Sequence, residues 1–186
     1  MTSNSVSRAV GAAARRAASG WRALALATVV AGVTASMSLG AADLRPFVRG
    51  SWKQIRQAHD GRPVVVHFWG VTCAPCMSEL PKWADIAKAK PGVDIVFVAA
   101  DPVPIEPPNI EAAAARTGIA PAENWMFSDS FLERLRFEVS PQWGGELPYT
   151  VMVDASGRVE STAGVMDIQR LRTWIARQTS RTPSPK

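Results

Sequence analysis

The chain contains only two cysteines, set three positions apart in Cys73-Ala74-Pro75-Cys76. Two residues between cysteines at the first turn of a helix bring the sulfurs within disulfide range. The free N–H groups and dipole of a helix N-terminus also stabilise a thiolate there. The spacing therefore points to dithiol–disulfide chemistry, with Cys73 as the exposed nucleophile, Cys76 as the shielded resolving thiol and Pro75 between them. Half a metal site is the competing reading, but there is no second cysteine pair and the only histidines are His59 and His67. No metal is expected, and no cofactor beyond the redox-active Cys73–Cys76 disulfide. A purely structural bridge across so short a loop would constrain little of the unfolded chain.

The flanking residues predict the elements that must hold the pair. Val64 to Trp69 is a continuous apolar run rich in β-branched residues and reads as a buried strand. A helical stretch follows from Met77 to about Lys90, with Pro81 expected to kink it. Upstream, Ser51 is the expected N-cap of a short helix with Trp52, Ile55 and Ala58 on one face, and His59 is read as a loop residue. Downstream, a second buried strand spans Asp94 to Ala100, and Asp101 to Pro108, with four prolines, is expected to be an extended loop. Asn109 is the expected cap of a helix ending near Thr117, and a short strand is expected over Asn124 to Ser128. Asp129 to about Phe137 reads as helical, with Phe131, Leu132 and Leu135 as its apolar residues, and Pro141 to Gly145 as a loop. Leu147 to Asp154 and Arg158 to Ala163 form a hairpin about Ala155-Ser156-Gly157, and Asp167 opens a last helix. Strands joined through a helix are parallel and the hairpin is antiparallel, so the sheet is mixed.

The net charge is +5, from 21 Lys+Arg and 16 Asp+Glu. Arg8, Arg15, Arg16 and Arg22 are the only charged side chains before Asp43, so the remainder is close to neutral. That excludes a phosphate-binding surface, and no nucleic acid is expected as a partner. Three of those arginines precede the uncharged run Ala23 to Leu39, which leads to Gly40-Ala41-Ala42. This is the pattern of an export signal cleaved after Ala42, with an uncleaved membrane anchor as the alternative. The expected organisation is thus a signal or anchor over residues 1–42, one α/β domain over 43–178 and a polar, disordered tail over 179–186. The location is periplasmic or otherwise exported, where unpaired thiols oxidise unless something keeps them reduced.

Phe68-Trp69-Gly70-Val71-Thr72-Cys73-Ala74-Pro75-Cys76-Met77-Ser78-Glu79-Leu80-Pro81 resembles the active-site stretch of the thioredoxin superfamily. More narrowly, it is similar to exported TlpA/ResA-like thiol–disulfide oxidoreductases. Gly145-Glu146-Leu147-Pro148-Tyr149-Thr150, followed by a hydrophobic strand and Asp154-Ala155-Ser156-Gly157-Arg158, resembles their second hallmark. The resemblance implies a thioredoxin-like fold, a mixed β-sheet flanked by helices, with a central insertion over about Asp101 to Ser140. It implies that Pro148 is cis and faces the sulfurs, and that the Leu147 backbone pairs with a substrate peptide. It places Trp69 beneath the site, His67 below the cysteines and Glu79 as a near-site acid. His67 is then either a proton relay to Cys76 or a neutral core imidazole, and Glu79 either tunes the thiols or lies on the helix surface. Thr72 departs from the pattern, since the related proteins usually carry Trp there.

The implied activity is that of a monomeric protein disulfide reductase. Its clients would carry disulfides or reactive thiols, such as the haem-binding cysteines of apocytochromes c in cytochrome c maturation, or copper-site cysteines. A membrane electron donor would re-reduce it. The alternatives are a thioredoxin-like peroxidase and a copper-delivery protein. The first normally has Thr three residues before its nucleophile, where Gly70 stands; the second normally has Cys-x-x-x-Cys with a distal His.

Overall fold

A computed structural model describes residues 43–180. The expected export signal or anchor and the last residues of the tail lie outside them. The elements in chain order are β1 (Leu44–Phe47), α1 (Ser51–Ala58), β2 (Val64–Trp69), α2 (Ala74–Lys88), β3 (Asp94–Ala99), α3 (Pro107–Thr117), β4 (Glu123–Phe127), α4 (Leu132–Val139), β5 (Tyr149–Val153), β6 (Val159–Ala163) and α5 (Ile168–Thr179). The sheet runs β1-β4-β3-β2-β5-β6. Its first four strands are mutually parallel, and β5 and β6 are antiparallel to their neighbours. The mixed sheet and its final hairpin are as expected.

Every residue of β2 is buried, because helices cover both faces of the sheet. Val65 and Trp69 join Phe97 and Met152 in a core with Leu80 and Trp83 of α2, Ala113 of α3 and Leu171 of α5. Val64, Val66 and Phe68 pack on the opposite side with Trp52 and Ile55 of α1 and Leu135 of α4. The period-two alternation of β2 thus sends His67 and Trp69 toward α2 and Phe68 toward α1.

Several expectations need correction. β1 was not anticipated: it is a four-residue edge strand containing Pro46, and only Phe47 in it is buried. Gly50, not Ser51, is the N-cap of α1; it adopts φ 88°, which glycine tolerates, and Ser51 Oγ instead accepts the Val48 N–H at 2.9 Å. Ala58 is exposed. α2 begins at Ala74, three residues before the expected Met77, and the cysteine motif forms its first turn, as the spacing predicts. Glu106, not Asn109, caps α3, because Pro107 and Pro108 fill its first two positions, where no intrahelical donor is needed. α4 starts at Leu132, after Asp129 Oδ1 accepts the Phe131 N–H at 2.9 Å in a turn, and Phe131 is exposed. α5 runs through Thr179, one residue into the expected tail.

His59 is no loose loop residue. It is buried, with Nδ1 2.9 Å from Asp94 Oδ2 and Nε2 3.7 Å from Glu123 Oε2. It therefore ties the end of α1 to the starts of β3 and β4. The Glu123 carboxylate, opposed by burial and joined by Asp94, raises the imidazole above its ordinary value of 6.5. The folded chain then holds this proton more tightly than the unfolded one. The stabilisation is complete below the ordinary value and fades as pH rises through the folded-state value. Replacing His59→Gln should lower Tm more at about pH 6 than at about pH 9, as read by thermal denaturation; an equal deficit at both would deny the imidazolium any part in stability.

Candidate redox-active site

The first turn of α2 is built around Cys73. Cys73 is the N-cap, and its Sγ accepts the Cys76 N–H at 3.2 Å. Its carbonyl accepts the Met77 N–H at 3.0 Å. Pro75 has no N–H to compete, so the Cys76 amide is left to point at sulfur. Cys73 and Cys76 are joined in a disulfide. Cys76 is fully buried, Cys73 is partly exposed, and Thr72, Ala74 and Pro75 are exposed around it. Cys73 is therefore the more accessible of the two sulfurs.

A second loop meets the first. The Leu147-Pro148 peptide is cis, and Pro148 is buried immediately before β5. Trp143, read from the sequence as an ordinary loop residue, anchors this segment. Its indole N–H donates to the Glu146 carbonyl at 2.9 Å, and its ring stacks on Tyr149 with centroids 4.6 Å apart. It also packs against Phe68, at 4.7 Å, from the strand that leads to the cysteines. A large aromatic in a Pro- and Gly-rich stretch was the available signal. The two loops close on Gly70: a Cβ there would lie 2.8 Å from Asp101 Oδ1 and 3.1 Å from Leu147 Cδ1.

Asp101 is the other residue the sequence reading missed. It is buried, and it lies just past β3 in the segment read only as an extended loop. Its Oδ2 accepts the Val71 N–H at 3.0 Å. Its Oδ1 accepts the Thr72 N–H at 3.0 Å and the Thr72 hydroxyl at 2.9 Å. The threonine that departs from the related proteins is thus a hydrogen-bond donor to the turn's own anchor. An aspartate ending an apolar strand and followed by proline was the sequence signal.

Three residues singled out from the sequence are buried on the α2 side of the sheet. Trp69 shares a core with Cys76. His67 Nδ1 shares a hydrogen bond with Thr150 Oγ1 at 3.0 Å, its Nε2 is 3.3 Å from Glu79 Oε1, and its ring stacks on Trp83 at 4.3 Å. Glu79 Oε2 accepts the Met166 N–H at 3.1 Å. Glu79 is therefore not a helix-surface carboxylate. Burial drives His67 down to about 3, so its imidazole is neutral at any physiological pH. Burial pushes the Glu79 carboxyl up, against the opposing Met166 N–H. Among the described residues no three of His, Cys, Asp and Glu are grouped as metal ligands.

No protein-family model and no curated protein matches the sequence. Solved structures do. One is a secreted Mycobacterium tuberculosis disulfide oxidoreductase homologous to E. coli DsbE, at 20% identity and TM-score 0.54, covering 65% of this chain and 85% of that one. Another is a thiol:disulfide interchange protein of the thioredoxin family from Chlorobium tepidum, at 23% identity and TM-score 0.54, covering 66% and 83%. A third is a thioredoxin-related protein from Neisseria meningitidis serogroup B, at 24% identity and TM-score 0.54, covering 67% and 90%. The fold is the thioredoxin fold. Within it, the chain carries the Cys73–Cys76 disulfide. No helix among the described residues is long and apolar enough to cross a membrane.

Two measurements check this anatomy. Trp143→Ala should cost ~3–5 kcal/mol in urea denaturation, whereas Trp143→Phe, which loses mainly the hydrogen bond, should cost ~1 kcal/mol; a negligible loss for Ala would mean that Trp143 does not anchor the loop. For Glu79, the folded chain binds the proton more tightly, so its burial penalty is absent below the ordinary value of 4.5 and grows as pH rises through the raised one. Glu79→Gln should gain stability relative to the parent between about pH 4 and pH 7; a constant difference across that range would contradict the raised value.

Proposed function

We propose that this protein is an exported thiol–disulfide oxidoreductase that reduces disulfides in client proteins. The observation that carries the reading is the partly exposed Cys73, disulfide-bonded to a buried Cys76 at a helix N-terminus. In the reduced protein, the Cys73 thiolate attacks one sulfur of a client disulfide. A Cys73–client bond forms, and the other client sulfur leaves as a thiolate and takes a proton. Cys76 then attacks Cys73, re-forms the internal disulfide and releases the second client thiol. The client gains two electrons, and a membrane electron donor restores the dithiol.

Leu147 offers its backbone to the client segment, and Pro148, Pro75 and Trp69 shape the surface and floor of the site. We assign proton handling near Cys76 to Glu79 rather than His67. The imidazole, at about 3, is the neutral core residue that hydrogen-bonds Thr150 and packs on Trp83. Its burial also weighs against a copper-delivery role, which needs an accessible ligand. Export is supported by the N-terminal sequence pattern and by the secreted M. tuberculosis protein of the same fold. The resemblance to TlpA/ResA-like proteins favours haem-binding cysteines of apocytochromes c or copper-site cysteines as clients.

Cys76→Ser should trap Cys73 in mixed disulfides, seen as adducts that dissolve on adding a strong reductant. Cys73→Ala should form none and should lose disulfide reductase turnover. Periplasmic extract that gives no reducible adduct with Cys76→Ser, or full turnover in Cys73→Ala, would refute the exchange mechanism.

A further inference from the structure

We propose that Asp101 is a positioning residue that sets the balance between the Cys73–Cys76 disulfide and its dithiol, and that the Thr72 hydroxyl trims this effect. The proposal rests on the exchange reading above. Asp101 is brought from the end of β3 to the turn before Cys73, where it receives the Val71 and Thr72 N–H groups and the Thr72 hydroxyl. No cation lies within ion-pair distance of it among the described residues. A cavity of about 540 Å³ beyond it is lined by Asp129 and Glu133 and by no basic residue. α2 carries no acidic residue in its first turn, so the carboxylate that faces its N-terminal end comes from Asp101. Gly70 leaves room for it, since a Cβ would sit 2.8 Å from Oδ1.

The consequence is electrostatic. The helix N-terminus favours a thiolate on Cys73, and a buried carboxylate beside it disfavours one. The thiolate exists only in the reduced protein. Asp101 therefore destabilises the dithiol relative to the disulfide and makes the protein a stronger reductant. The Thr72 hydroxyl points a positive dipole at the same carboxylate oxygen and offsets part of its charge. Removing the charge and removing the hydroxyl must then act in opposite directions. If Asp101 and Thr72 merely kept the turn in shape, both losses would act in the same direction.

The test equilibrates the full chain with glutathione: the Cys73–Cys76 disulfide and two glutathione thiols give the dithiol and one glutathione disulfide, with two electrons moving to the protein. The reduced fraction is read by thiol alkylation and mass. Asp101→Asn should shift the equilibrium toward dithiol about tenfold, which is about 30 mV for a two-electron couple. Thr72→Val should shift it toward disulfide, roughly threefold if one hydrogen bond is at stake, and Thr72→Ser should match the parent. Shifts of the same sign in Asp101→Asn and Thr72→Val overturn the proposal, as does an unmoved equilibrium in either. Should Asp101→Asn fail to fold, the contrast between Thr72→Val and Thr72→Ser decides. A parent chain that never equilibrates with glutathione overturns the exchange reading itself; a parent that does, beside variants that do not move, overturns only the role of Asp101.

Discussion

The site depends on one backbone register. β2 and β5 pair antiparallel, with His67 opposite Thr150 and Phe68 opposite Tyr149. Because the strands run in opposite directions, the loop leaving β2 and the loop entering β5 emerge at the same end of the sheet. The cysteine turn and the Leu147-Pro148 segment, far apart in the chain, are therefore neighbours before any side chain is considered. A slip of one residue would exchange the two faces of β2, turning His67 and Trp69 away from α2 and Phe68 away from Trp143. The burial of both faces makes such a slip costly. The position of the disulfide is thus fixed by core packing at some distance from the sulfurs.

What could be read from the sequence was mainly local. The run from Val64 to Trp69, the Cys-x-x-Cys spacing and the hairpin about Ser156-Gly157 each carry their structure within a few residues, and all three are found in the fold. The cis Leu147-Pro148 bond was legible only through resemblance, since nothing in the residues around a proline distinguishes cis from trans. The failures have a common cause. Asp101 and Trp143 act on partners that reach them only through folding, so their types suggest a loop acid and a loop aromatic and nothing more. His59 gains its two carboxylates from β3 and β4. The helix starts were misplaced for a smaller reason: Gly50 and Glu106 hold cap positions that Ser51 and Asn109 suit by propensity, and backbone geometry overruled the preference.

Two titratable side chains, His67 and Glu79, are buried between β2 and α2 in a largely apolar core. Burial shifts His67 and Glu79 in opposite directions, the imidazole down and the carboxyl up, and both shifts disfavour charge in the interior. Thr150 and the Met166 amide meet one polar atom on each. Burial there disfavours charge, while the turn before Cys73 carries the Asp101 carboxyl group as acceptor of three hydrogen bonds.

The edge strand carries a different lesson. β1 is held by parallel pairing with β4, Leu44 opposite Asn124 through Phe47 opposite Phe127, and it buries one side chain. Its partner arrives only after most of the chain has been made, so closing this contact carries a long-loop entropy and brings little apolar area in return. β1 is thus an edge of the sheet whose closure spans a long stretch of chain. Its amides belong to the fast-exchanging end of the hydrogen-exchange spectrum, while those of β2, sealed on both faces, belong to the slow end. The molecule carries its disulfide just past β2, the strand sealed on both faces, and away from the β1 edge of the sheet.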